Sequence, residues 1–206
     1  SMTGDCVHTA CGDVTATTKI MAMEGFSYEL TAQRRRVLPV SSRIIATEPL
    51  SDAQWQDVGL HNAEVFCEAS PLVTYGQRSS DNRLVFGSRG SYLFGGRPRS
   101  EFGADVGEFK AIQKLMLACF PQLTGTPISH QWGGTLGIPR AQVPHAVYDA
   151  ATGLGTAGGY MGEGVGAANL MARTLVDLIL DRNSALATMP WAHRHHPDTV
   201  LRRWEP

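Results

Sequence analysis

Residues 153–180 read GLGTAGGYMGEGVGAANLMARTLVDLIL, six glycines within the first twelve positions running straight into an apolar-periodic segment. Leu170, Leu175, Leu178 and Ile179 recur at the spacing of one helical face, from about Gly164 to about Leu180. Arg173 and Asp177, four residues apart, occupy the other face as an i, i+4 pair. A glycine turn that feeds a helix puts bare backbone N–H groups and the positive end of the helix dipole at one spot, which suits a negatively charged ligand atom. A turn that merely lets a strand and a helix pack closely is the competing account, because glycine serves both purposes.

The same stretch contains a literal GxGxxG, Gly153-Leu154-Gly155-Thr156-Ala157-Gly158. A dinucleotide fingerprint follows a strand, opens a helix at its glycines, and is answered by an acidic residue on a second strand about 20 residues later. Here the helix begins after a second glycine group, Gly162-Glu163-Gly164-Val165-Gly166. Beyond it come Asp181-Arg182-Asn183-Ser184 and a tail rich in Pro, Trp and His with no apolar strand. The motif is therefore not a Rossmann fingerprint.

Working outward, residues 14–23 and 37–47 carry strand patterns, and Pro49-Leu50-Ser51-Asp52 offers a helix N-cap for a short helix through Trp55 and Val58. Residues 72–77 and 83–87, separated by Ser79-Ser80-Asp81-Asn82, predict a hairpin in the middle of an antiparallel sheet. A glycine-rich loop over 87–103 precedes a helix over 104–120. Val106, Phe109, Ile112, Leu115 and Met116 form its apolar face, and Pro121 ends it. Residues 127–134, 146–148 and 154–158 read as short strands, with a turn at 149–153. The fold class is α+β: a mixed, mainly antiparallel sheet with flanking helices. One unit over 1–182 is expected, followed by a C-terminal tail over 183–206.

With 206 residues, 43% hydrophobic and 18% charged, the chain can bury a core without disulfides or metal. A net charge of −1 with interspersed signs gives no footprint for nucleic acid or an anionic membrane. Arg34-Arg35-Arg36 abuts an apolar run and reads as a solvated strand entrance. No apolar run approaches the roughly 20 residues of a membrane span, and no signal-peptide pattern opens the chain. Cys6, Cys11, Cys67 and Cys119 lack CxxC spacing, which points to reduced thiols in a reducing, cytoplasmic setting and to no zinc site. His193, His195 and His196 read as a solvated tail able to bind metal only adventitiously. Ser1-Met2 reads as a scar ahead of a native methionine.

Several segments in order carry a family resemblance: Ala22-Met23-Glu24-Gly25-Phe26, Arg36-Val37-Leu38-Pro39-Val40, Ala46-Thr47-Glu48-Pro49-Leu50, Leu84-Val85-Phe86-Gly87-Ser88-Arg89-Gly90, Trp132-Gly133-Gly134, and Gly158-Gly159-Tyr160-Met161-Gly162-Glu163-Gly164-Val165. Together they resemble the C-terminal portion of FAD-dependent amine and amino-acid oxidoreductases, the D-amino-acid oxidase and glycine or sarcosine oxidase-like flavoproteins. The resemblance spans nearly the whole chain. It implies a substrate-domain fold, with residues of about 14–26 and 153–182 belonging to the FAD-binding part. The family's N-terminal dinucleotide-binding unit has no counterpart in the pattern, so the expectation is a partial oxidoreductase.

By the same resemblance, FAD is the cofactor, and Gly159, Tyr160, Met161, Gly162 and Gly164 match the loop that faces the flavin edge. Glu163 would oppose an anionic flavin and is expected to face solvent or cap the helix. Trp132 and Gly133 resemble the segment beside the flavin ring, a buried core tryptophan being the competing account. Residues 22–26 resemble a cofactor-touching strand and turn, or else form an ordinary edge strand. Tyr75, Arg78 and Arg89 lie on the hairpin that the resemblance places over the substrate, where arginine would suit a carboxylate. The implied reaction is oxidation of an amine or amino-acid C–N bond by hydride transfer to flavin. No catalytic residue is assigned, and no Ser/His/Asp, Cys/His or paired-carboxylate pattern favours hydrolysis. The alternative is a non-catalytic binding module, self-associating or pairing with a dinucleotide-binding partner.

Overall fold

Gly153 shows how tightly one part of the backbone is drawn together. It adopts φ +64°, and a Cβ there would lie 1.9 Å from the Thr17 carbonyl oxygen, so no other residue fits. The Gly153 carbonyl in turn accepts from the Lys19 N–H at 2.8 Å. These contacts come from a computed structural model that describes residues 2–3, 5–34, 36–69, 73–89, 97–102, 106–139 and 141–193. The chain divides into two compact units, Ser1–Pro39 with Leu136–Pro206, and Val40–Thr135. The first is discontinuous, and it contains both segments that the resemblance grouped, 14–26 and 153–182.

The first unit holds two sheets. Strands β1 (Met2–Thr3), β2 (Cys6–Thr9) and β3 (Gly12–Thr15) form a small antiparallel meander. Strand β4 (Lys19–Met21) leaves that meander and pairs in parallel with β11 (Leu154–Gly158). Residues 14–23 are thus two short strands rather than one, broken by the bend over 17–18. Strand β11 pairs antiparallel with β10 (His145–Asp149), and β10 pairs in parallel with β12 (Ala192–His193). The expected strandless tail therefore contributes an edge strand, secured by the Ala146 N–H on the Trp191 carbonyl at 2.9 Å. Its two residues are too few to show a period in sequence.

The glycine-led helix α3 (Gly164–Ile179) packs on β10 and β11. Met171, Thr174, Leu175 and Leu178 are its buried positions, with Leu170 and Ile179 at the margin. Trp191 returns along it and donates its indole N–H to Thr174 Oγ1 at 3.2 Å. Asp177 accepts from Ser184 at 2.7 Å and pairs with Arg182 at 3.2 Å, while Arg173 acts as a more distant charge.

The second unit is a five-stranded sheet in the order β6 (Val65–Cys67), β7 (Thr74–Arg78), β8 (Leu84–Arg89), β5 (Val37–Thr47), β9 (Ile128–Pro139). The β7–β8 hairpin sits mid-sheet as expected, and β6–β7, β7–β8 and β8–β5 are antiparallel. Helix α1 (Asp52–Val58) starts on a Ser51/Gln54 capping box and stops at Gly59 in the left-handed region. Helix α2 (Val106–Cys119) buries Phe109, Ile112 and Met116 beside Ile45, Leu84 and Phe86, whereas Leu115 is exposed. The expected loop over 87–103 begins later, because β8 continues to Arg89. Leu72 and residues 90–96 lie outside the described residues.

Two glycine substitutions test this packing in opposite directions. Gly153→Ala is expected to destabilise by about 2 kcal/mol or more, through its φ and the Thr17 clash. Gly107→Ala, inside α2 with open space around its Cβ, is expected to stabilise by about 0.5–1 kcal/mol. Chemical denaturation of both variants measures each change.

Candidate functional site

Helix α3 begins without a cap. Its N-cap residue, Glu163, makes no side-chain capping bond, and no acidic residue occupies the first turn. A helix start leaves its first N–H groups without intrahelical partners, so those of Gly164, Val165 and Gly166 point outward with the positive end of the dipole. Val165 is fully exposed, at 100%, and Glu163 and Gly166 are exposed beside it. The turn that delivers the chain here uses three departures from ordinary backbone within four residues: Gly159 at φ +81°, Met161 at +51° and Gly162 at +102°.

The amides of Gly159 and Tyr160 face inward instead, onto Glu24. Gly159 N–H donates to Glu24 Oε2 and Tyr160 N–H to Oε1, each at 3.3 Å, and a Gly137 backbone bond joins them. Glycines make the seat possible: a Cβ on Gly137 would lie 2.9 Å from Glu24 Oε2, and one on Gly158 only 3.3 Å away. Glu24 itself adopts φ +44°, at the head of a 3-10 turn over Glu24–Glu29. Residues 22–26 are thus irregular chain leading into a 3-10 turn rather than a strand. Burial pushes the Glu24 carboxyl above its ordinary range, against the pull of its three backbone donors. The Tyr160 phenol is also raised, first by burial and then by the Glu24 charge. A cavity of about 30 Å³, water-sized, adjoins the carboxylate and is lined by His145, Thr156, Met21 and Met23. The Thr156 hydroxyl is buried there with no partner among the described residues.

In the second unit, Tyr75, Gly87, Arg89 and Ser42 meet on one sheet face. Tyr75 stands opposite Gly87, and Arg89 opposite Ser42. The Tyr75 ring crosses the bare Gly87 backbone, where a Cβ would come within 2.6 Å of it, and its hydroxyl meets Ser42 Oγ at 2.8 Å. Arg78, three residues from Tyr75, falls on the opposite face by strand alternation. Its guanidinium stacks 4.7 Å from the Trp55 ring centroid and donates to Asn82 Oδ1 at 2.7 and 3.1 Å. Gly133 faces Phe102 and the Ser42 carbonyl, where a Cβ would clash at 2.7 Å with each. Trp132, next along β9, is 41% exposed and so is not a core tryptophan. Buried Arg43 pairs with Glu108 and lies 5.8 Å from the Phe102 ring centroid, an arrangement that packs the helix face of the sheet.

The family model described as DAO, FAD dependent oxidoreductase, matches residues 3–178. The chain belongs to this family of FAD-dependent oxidoreductases. Among curated relatives, a probable oxidoreductase OrdL of Haemophilus influenzae is 33% identical over 153 residues, which is 74% of this chain and 32% of that protein. Its namesake from Rhizobium meliloti is 29% identical over 181 residues, 87% of this chain and 40% of that protein. The chain thus spans about a third of the length of these relatives. Glycine oxidase from Geobacillus kaustophilus shares the fold at TM-score 0.68 and 16% identity, covering 93% of this chain and 49% of that one. Iminodiacetate oxidase from Chelativorans sp. BNC1 does so at 0.66 and 16%, covering 90% and 49%.

For a member of this FAD-dependent family, the residues at the start of α3 fit a flavin. The uncapped amides, the absence of first-turn acids and the exposed Val165 offer donors and an apolar contact to a ring edge that accepts hydrogen bonds. The fit falls on the amides of residues 164–166 more than on those of Gly159 and Tyr160, which already serve Glu24, or of Glu163, which donates to the Tyr160 carbonyl at 2.9 Å. Sequence reasoning placed Glu24 in the segment 22–26 without giving it a role, and did not find Ser42. Neither has a local signal, since each acquires its role from a partner 33 or more positions away.

Because the folded Glu24 carboxyl binds its proton more readily than an unfolded one, stability rises as pH falls through the interval above 4.5 and declines as pH rises out of it. Glu24→Gln has no such titration. Its Tm is therefore expected to gain on that of the unsubstituted protein as pH is raised from about 4.5 toward neutrality. Parallel thermal melts across that range read the difference, and a constant offset would contradict the buried seat.

Proposed function

We propose that this chain supplies the flavin-edge and substrate-binding parts of an amine or amino-acid oxidoreductase. The observation that carries this reading is the exposed, uncapped N-terminus of α3 behind the turn at 159–163. Backbone donors there are preorganised for the ring carbonyl edge, where negative charge collects on two-electron reduction. When bound, FAD supplies the hydride acceptor: a substrate C–N unit loses a hydride and a proton to become an imine, which water hydrolyses. This chain's own contribution at that edge is the set of amides from Gly164 to Gly166 at the start of α3, with Glu24 holding the preceding turn in shape.

On the sheet of the second unit, Arg89 suits a substrate carboxylate, and Tyr75, fixed through Ser42, presents a polar rim to it. A small amine or amino acid is the substrate class this supports. Trp132, exposed on β9, adds an aromatic surface. Four free cysteines suit a reducing compartment such as the cytoplasm. Among the described residues no helix is long and apolar enough to cross a membrane.

A second reading has its own observation. Strand β4 is a sheet edge with Ile20 57% exposed, and a groove of about 510 Å³ beside it is lined by Val7, Val14, Ile20, Met23 and Leu30. That apolar edge favours association with another polypeptide, a second copy or a dinucleotide-binding partner. Size-exclusion chromatography with light scattering distinguishes a monomer from an oligomer.

The flavin reading is tested by adding FAD, desalting, and recording absorbance between about 300 and 550 nm, the range of flavin bands. Retained bands are expected. Gly166→Glu, placed where nothing lies within 4 Å of its Cβ, favours the helix yet puts a carboxylate among the proposed donors. It is expected to leave the fold intact and weaken FAD binding about tenfold. Equal retention by both proteins would exclude the α3 terminus as the flavin contact.

A further inference from the structure

The β2–β3 hairpin gathers three metal-ligating side chains that sequence spacing does not associate. Cys6 and His8 are two apart on β2 and so share a face, and Asp13 on β3 stands directly opposite His8. His8 Nδ1 lies 3.7 Å from Cys6 Sγ and 2.9 Å from Asp13 Oδ1, and all three ligand atoms fall within 4.8 Å of one another. A tetrahedral zinc ion with arms of about 2.3 Å to sulfur and about 2.0–2.1 Å to nitrogen or oxygen sets ligand separations of roughly 3.3–3.6 Å. The two separations from His8 lie within about 0.5 Å of those values, and the one between Cys6 and Asp13, at most 4.8 Å, has to shorten on binding.

We propose that Cys6, His8 and Asp13 form an open, three-ligand site for a borderline divalent cation of the zinc class, with a water completing the tetrahedron. The donor set determines the class: a thiolate and an imidazole favour zinc, cobalt or cadmium over calcium or magnesium, which take oxygen ligands. Binding replaces the Cys6 thiol proton with the metal and releases it to solvent. The hairpin has a use for such a clip. All four residues of β3 are exposed, so β2 and β3 share little apolar burial, and a small sheet of this kind is marginal by itself. A metal ligated from both strands cross-links them, much as a disulfide would. The competing donors are His193, His195 and His196 near the C-terminus, which contain no thiol, and the exposed thiols of Cys11, Cys67 and Cys119, from which loss of the thiolate signature in Cys6→Ser distinguishes the site.

Cobalt(II) titration followed by absorbance tests the site, because a thiolate ligand produces a near-ultraviolet charge-transfer band and tetrahedral geometry produces intense visible bands. One equivalent is expected to bind with both signatures. Cys6→Ser should abolish the charge-transfer band, and His8→Ala should weaken binding by about tenfold or more. The His195→Ala/His196→Ala double variant should retain both signatures. Zinc should raise the Tm of the unsubstituted protein and of the double variant, but not that of Cys6→Ser or His8→Ala. Circular dichroism checks that each variant folds, and His8→Ala stands in should Cys6→Ser fail. A cobalt spectrum without charge transfer, a band that survives Cys6→Ser, or binding lost only in the tail variant would overturn the proposal.

Discussion

The structure of the first unit depends on the close approach of backbone to a half-buried carboxylate. Glu24 fills a seat whose walls are Gly137, Gly158 and Gly159, and its two oxygens take N–H groups from the turn that leads into α3. A side chain on Gly137 or Gly158 would press on the carboxylate, and one on Gly159 would meet the Val143 carbonyl instead; without the carboxylate two inward amides of the turn would lose their acceptor. The turn's left-handed residues hold their conformation because this contact over-determines it. By satisfying the inward amides, Glu24 also leaves the later ones, at the start of α3, as the donors that face outward.

The two units use different physics to place their functional groups. In the first, backbone does most of the work, through positive-φ positions, a helix dipole and amides, with the Glu24 carboxylate as the one side chain that fixes them. In the second, a regular antiparallel sheet sorts side chains by parity. Tyr75 and Arg89 reach one face and Arg78 the other because register and alternation leave no choice. Gly87 lets the Tyr75 ring cross the strand and reach Ser42.

Membership of the FAD-dependent family fits this division. On the proposed function, the glycine turn and helix would meet the cofactor's polar edge, and the arginine, tyrosine and tryptophan of the sheet would meet a small polar substrate. The small β1–β2–β3 meander stands apart in character, exposed and thinly packed, which is why a cation ligated from two of its strands would matter to it.

Local pattern determined much of this protein by itself. The capping box at Ser51 and Gln54, the periodic faces of α2 and α3, the β7–β8 hairpin and the glycine junction all rest on interactions within a few residues, and they are legible for that reason. The family too was legible, since its motifs are short and occur in order. Only the tertiary structure decided the rest. It seated Glu24 under Gly159 and Tyr160, sent Arg78 to Trp55 instead of to Tyr75, recruited Ala192–His193 as a strand, and drew Cys6, His8 and Asp13 together. Each of these depends on register, strand parity or a long-range partner, and the energy that selects it is supplied by residues far away in the chain.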